Sequence, residues 1–241
     1  MPFFLLCVFT FFIFFQPGVI FPELISYRPV LVSSVVALLT YMIFGKGNET
    51  AFLSHNYTRF FILFVVMQVL SSTKIWITGG VETLLSWSIF LSIFYLMEKE
   101  CTDIKHFNYI MMMVIIPIIY LSYFSLKDVY LNYEPGYRAI GFGWYENAND
   151  LSLILITVIP LLFYFAETSK PLLVKYLFIG ISIIFSVNIL FTGSRQALLG
   201  LFVVGSLCLF FSKRISSMMR LSISVLMIVS VMTVGIATVM A

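Results

Sequence analysis

Two short stretches hold most of the residues suited to chemistry. One is Thr192-Gly193-Ser194-Arg195-Gln196, set between two long apolar runs. So short a link forces the flanking helices into a tight hairpin, with Gly193 placed to end the first and Ser194 to cap the second. Arg195 then falls in the first turn of the second helix, where its charge opposes the helix dipole. An anion would relieve that conflict, because helix N-termini bind anions and a guanidinium grips phosphate through a two-pronged fork. The competing reading is an arginine stretched toward lipid headgroups. Residue chemistry alone leaves the two level.

The other stretch runs from Lys127 to Asn149 and reads KDVYLNYEPGYRAIGFGWYENAN. It contains Glu134, Arg138 and Glu146, with glycines at 136, 141 and 143 that permit tight turns or close backbone approach. Tyr137, Phe142, Trp144 and Tyr145 suit a membrane interface and would equally stack on a sugar ring. Composition alone favours the plainer alternative, an aromatic belt on an ordinary loop with Asn149 or Asp150 capping the next helix. If both stretches lie on one membrane face, Arg138 and Arg195 could hold the two phosphates of a lipid-linked diphosphate at headgroup depth.

Other polar residues point elsewhere. Cys7, Cys101 and Cys208 are scattered, with no metal or redox spacing. Gln68, Glu82 and Asn188 fall inside apolar runs; such residues more often bond helix to helix than act on a ligand. The net charge of +3 is spread along the chain and offers no nucleic-acid patch.

The elements that must position these residues follow from composition. Hydrophobic residues make up 61% of the chain and charged residues 10%, with mean hydropathy +1.06. A soluble domain has roughly a quarter charged residues. Lipid is the matching solvent, and there only helices and closed barrels satisfy their own backbone. Barrel strands alternate apolar and polar residues, whereas this chain has unbroken apolar runs over 60–70, 110–123 and 151–165. The expected fold is therefore all-α, a polytopic transmembrane bundle of about nine helices over 2–20, 28–45, 59–78, 82–98, 107–126, 149–167, 174–192, 196–212 and 221–240, forming one integral membrane domain over 1–241. The apolar run 3–15 has no basic residue before it and no small-residue cleavage site after it, so it reads as a membrane helix kinked or ended near Pro17-Gly18 rather than as a signal peptide.

Orientation follows the distribution of Lys and Arg. Loops after even-numbered helices carry Lys46, Arg59, Lys99, Lys105, Lys170, Lys175, Lys213, Arg214 and Arg220; the others carry Arg28, Lys74, Lys127, Arg138 and Arg195. The richer set is expected in the cytoplasm, along with the N-terminus, His55 and His106. Both chemistry-bearing stretches then face outward. No internal repeat of the kind that marks many transporters is visible.

The stretch Arg138-Ala-Ile-Gly-Phe-Gly-Trp-Tyr-Glu-Asn-Ala-Asn149-Asp-Leu-Ser, followed by an apolar helix, resembles the O-antigen polymerase and ligase family. That family carries an Arg, then Gly and aromatic residues, then an Asn that opens a helix. Leu190-Phe-Thr-Gly-Ser194-Arg195-Gln-Ala-Leu-Leu-Gly200 resembles its second signature, a Ser-Arg preceded by Thr and followed by small residues. Order, spacing and the two intervening helices also fit. The resemblance implies a GT-C-like membrane glycosyltransferase at the outer face of the bacterial plasma membrane, moving a glycan from an undecaprenyl diphosphate carrier to an acceptor. It implies Arg138 and Arg195 as catalytic groups, with Tyr145, Trp144, Asn147, Asn149 and Ser194 shaping the substrate site and Glu146 or Asp150 as the candidate base. No metal and no cofactor are implied. The implied partners are the lipid-linked oligosaccharide, the bilayer, a chain-length regulator and other polysaccharide-assembly proteins, with no nucleic acid. A ligase, a polysaccharide flippase or transporter and a non-catalytic truncated homologue are the alternatives. Family members are longer and carry a large outer loop after the helices seen here, so the chain is expected to correspond to the N-terminal part of that architecture.

Overall fold

The computed structural model describes residues 2–45, 56–73, 77–132, 134 and 137–211. The elements among these residues are all helical: α1 (Pro2–Phe15), α2 (Pro17–Ile20), a 3-10 segment (Pro22–Tyr27), α3 (Pro29–Phe44), α4 (Asn56–Thr73), α5 (Ile77–Glu100), α6 (Ile104–Asn132), a 3-10 turn (Gly143–Tyr145), α7 (Ala148–Thr168), α8 (Leu172–Phe191) and α9 (Arg195–Phe211). Among the described residues, five stretches are long and apolar enough to cross a membrane: Pro22–Phe44, Gly79–Glu100, Ile104–Asn132, Ala148–Thr168 and Leu172–Phe191. That pattern is consistent with a membrane protein. The expected ninth helix, 221–240, lies outside the described residues, as do Lys46, His55, Lys74, Lys213, Arg214 and Arg220.

The expected first helix over 2–20 breaks beside Pro17-Gly18, where a kink or an end was expected. Gln16 takes a left-handed conformation, φ 49°, and Pro17 restarts the chain as a four-residue helix. The 14 residues of α1 rise about 21 Å, less than the hydrocarbon core of ~30 Å. Helix α4 spans Asn56–Thr73, so it starts three residues before and ends five residues before the expected limits of 59 and 78. Helix α6 runs six residues beyond its expected end at 126, so Lys127 to Asn132 are helical and the segment before α7 is correspondingly shorter. Pro117 within α6 and Pro160 within α7 each remove one backbone donor, which membrane helices tolerate where neighbours re-satisfy the freed carbonyl.

The helices gather into two compact units, the first ending at Pro117 and the second beginning at Ile118. In the first, Leu6, Phe9 and Ile13 of α1 pack with Ala37 of α3, Leu96 of α5 and Ile110 of α6. Asp103 caps α6 there, its carboxylate accepting from the His106 backbone N–H at 2.8 Å, a bond that lowers the Asp103 pKa.

In the second unit α7 is the central helix. Leu151, Leu155, Ile159 and Leu162 recur at helical spacing and are wholly buried or nearly so. Phe165 stacks on Phe178 of α8 at 5.4 Å. The other face of α8 leaves Tyr176, Leu177, Ile183, Ile184 and Val187 exposed. An apolar patch of that extent suits lipid rather than water.

Candidate functional site

The residues singled out in the sequence lie in the second unit, where the segment between α6 and α7 meets the hairpin between α8 and α9. The segment docks through its backbone and one side chain. The Ala139 N–H donates to the Phe191 carbonyl at 2.9 Å, and Arg138 Nε donates to the Thr192 carbonyl at 2.7 Å. Both acceptors belong to the C-terminal end of α8, where carbonyls lack helical partners and the dipole favours a cation. The arginine of the first motif is thus brought to the turn that opens the second.

Local chemistry shapes the rest of the segment. Gly141 donates to the Tyr145 carbonyl at 2.8 Å, and a Cβ on Gly141 would sit 2.8 Å from that same oxygen and 2.9 Å from Leu121 Cδ1. No larger residue fits unless the backbone moves. Gly143 takes φ 59° to open the 3-10 turn. Phe142 packs edge-on against Phe124 at 5.3 Å and Tyr120 at 6.1 Å, both on α6. Tyr145 is buried, and burial pushes its phenol up to about 12. Trp144 is 51% exposed. Of the two aromatics expected to bind substrate, only Trp144 therefore presents its ring to the surroundings.

Asn147, rather than Asn149 or Asp150, caps α7. Its Oδ1 accepts from the Asn149 N–H at 2.9 Å. The first turn of α7 then holds Asn149 and Asp150, both exposed, with exposed Glu146 just before it. Asp150 there is favourable to the helix dipole.

The hairpin follows the expected pattern. Gly193 ends α8 at φ 60°, and buried Ser194 caps α9, its Oγ accepting from the Ala197 N–H at 3.3 Å. The Ser194 hydroxyl, expected to shape a substrate site, serves the helix end. Arg195 is exposed in the first turn of α9.

Three further polar residues tie this unit together, two of them buried, and Asn188 bonds helix to helix as its place in an apolar run suggests. Asn188, fully buried on α8, donates from Nδ2 to Ser122 Oγ at 3.0 Å and accepts from Ser125 Oγ at 3.2 Å, which ties α8 to α6. One turn later Thr192 Oγ1 lies 2.8 Å from Ser152 Oγ on α7. The available signal was the i, i+4 spacing of Asn188 and Thr192 in an otherwise apolar helix. Asp128 is the third. It accepts from Asn132 Nδ2 at 2.8 Å and from the Tyr137 hydroxyl, which raises the Tyr137 pKa.

Among the described residues no group of three or more His, Cys, Asp or Glu side chains is arranged to hold a metal. The chain matches no protein-family model, no curated protein and no solved structure.

Proposed function

We propose that this chain acts as a lipid-linked glycan polymerase on undecaprenyl-diphosphate-linked repeat units at the outer face of a bacterial plasma membrane, with the N-terminus in the cytoplasm. The observation that carries the reading is the meeting of Arg138 with the Thr192-Gly193 turn from which Arg195 departs. A guanidinium has five N–H donors. Nε provides the bond to Thr192, and the terminal nitrogens carry the other four, arranged for bidentate contact with phosphate. Arg195 adds a second positive charge at the N-terminus of α9, whose backbone donors also favour an anion.

In the reaction, an acceptor hydroxyl attacks the anomeric carbon of the lipid-linked glycan. The carbon–oxygen bond to the diphosphate breaks, and the leaving group takes the electron pair. Arg138 and Arg195 stabilise the charge that develops on it, an electrostatic form of catalysis. Glu146 or Asp150, exposed beside the cap of α7, accepts the hydroxyl proton. Trp144 offers a face for sugar stacking, with Asn147 and Asn149 at its flank.

In cells that depend on this gene for long-chain polysaccharide, Arg138→Ala and Arg195→Ala are each expected to abolish the long chains while membrane insertion continues. Ordinary chain-length ladders from both variants would overturn the assignment. One observation favours a second reading, a non-catalytic membrane component: Arg138 Nε caps the end of α8, which is a sufficient structural reason for an arginine. Arg138→Lys separates the two. The ammonium can still satisfy the carbonyl but presents no planar fork to a phosphate. The polymerase reading expects long chains to be lost with this variant, and the structural reading expects them to be retained.

A further inference from the structure

We infer that Thr192 is a positioning residue: its buried side chain holds its own carbonyl in place, and that carbonyl aims the guanidinium of Arg138. Four observations support this. Thr192 is fully buried. Its hydroxyl donates to the Ile189 carbonyl at 2.7 Å. The same oxygen lies 2.8 Å from Ser152 Oγ on α7, whose one proton it shares with the Ala148 carbonyl at 2.5 Å, and is placed to accept from the Ser194 N–H at 3.4 Å. Its carbonyl accepts from Arg138 Nε at 2.7 Å.

A hydroxyl has one proton and two lone pairs, so the Thr192 oxygen donates its proton to the Ile189 carbonyl and turns its lone pairs toward Ser152 and the Ser194 N–H. The β-branched side chain adds stiffness at χ1. One turn earlier, Asn188 fastens α8 to α6 through Ser122 and Ser125. The last turn of α8 is therefore fixed from two directions, by α6 through Asn188 and by α7 through Thr192. Arg138 lies on a long, flexible stem, and its orientation is set at the point where Nε meets the Thr192 carbonyl. A residue that only filled space here would need neither the hydroxyl nor the link to Ser152.

The test uses full-length protein in detergent micelles with isotope-labelled arginine, as wild type, Thr192→Val, Thr192→Ser and Arg138→Lys. The Arg138 Nε–H resonance is identified by its disappearance in Arg138→Lys. Solvent exchange of that proton is expected to accelerate about tenfold in Thr192→Val and to stay at the wild-type rate in Thr192→Ser. Unchanged exchange in Thr192→Val would overturn the inference. If Thr192→Val does not yield folded protein, Ser152→Ala removes the α7 tether alone. Faster Nε–H exchange is again expected, and an unchanged rate again counts against the role.

A calorimetric titration with inorganic pyrophosphate carries the inference to the proposed chemistry, and this arm rests on the diphosphate reading above. Affinity is expected to fall about tenfold in Thr192→Val and to recover in Thr192→Ser. Equal affinity in wild type and Thr192→Val would overturn positioning of a phosphate-binding group. Wild-type protein that ignores pyrophosphate would defeat the diphosphate reading instead, and the exchange rates would then decide the role of Thr192 by themselves.

Discussion

Gly141 and Tyr145 show how much one atom matters in the segment between α6 and α7. A methyl group on Gly141 would press on a backbone carbonyl, which cannot swing aside as a side chain can. Gly141→Ala is expected to cost ~1–3 kcal/mol, as overpacking does. Gly180→Ala is the control, since a Cβ on Gly180 meets nothing within 4 Å. In mid-helix that change should be neutral or stabilising by ~0.5–1 kcal/mol. Thermal melts in detergent would rank the two, and equal melting temperatures would contradict the crowding at Gly141. Tyr145 makes a pH prediction. Its phenol holds its proton more tightly when folded, at about 12, than the ordinary value of 10.0. The neutral phenol's contribution to stability is therefore complete below pH 10 and is lost as pH rises toward 12. Alkaline unfolding followed by tyrosinate absorbance should shift to higher pH in Tyr145→Phe. An unshifted midpoint would mean that Tyr145 ionises without cost in the folded state.

Helix α8 owes its fixed rotation and height to polar contacts, because its apolar faces would pack nearly as well one turn up or down. Lipid and leucine attract apolar surface about equally, so hydrophobic burial discriminates weakly between registers in a membrane. Asn188 supplies the discrimination through Ser122 and Ser125. Asn188→Leu is expected to destabilise the second unit by ~0.6–2 kcal/mol, the range of interhelical hydrogen bonds in membranes. Unfolding in graded denaturing detergent would measure it, and a wild-type midpoint would show that packing alone sets the register. The same change should weaken the contact at Thr192 one turn away. Helices α7 and α9 depend on their caps instead, Asn147 and Ser194, which place the first turns of both helices at the ends of the two motifs.

For the chain in its bilayer, the Lys and Arg distribution predicts that the start of α7 faces outward and its end faces the cytoplasm. Glu146 and Lys170 are both exposed and flank the 21 residues of α7. In a cysteine-free background, an impermeant thiol reagent on intact cells should label Glu146→Cys and spare Lys170→Cys. The opposite pattern would invert the topology and remove the proposed outer-face chemistry with it. Tyr145, though adjacent to Glu146, would be a poor reporter because its side chain is buried.

Helix positions in the second unit were legible because a membrane helix announces itself by local composition: α7, α8 and α9 begin and end within two residues of the expected limits. The hairpin caps at Gly193 and Ser194 were legible for a similar reason, since helix-end chemistry involves residues only a few positions apart. The limits of α1 and α6 were less so. Pro17-Gly18 marks the break after α1 but not the left-handed turn of Gln16 that makes it, and α6 continues through Lys127 and Asp128 because charges at a helix end can reach past the apolar layer. What only the tertiary structure decided is which residues meet across long separations. Arg138 and Thr192 are joined by a hydrogen bond across 54 positions, and Ser122 and Asn188 across 66. Composition and periodicity record how each segment meets its solvent, lipid or water. They do not record how one helix is rotated and raised against another, and in lipid that choice rests on a few buried hydrogen bonds.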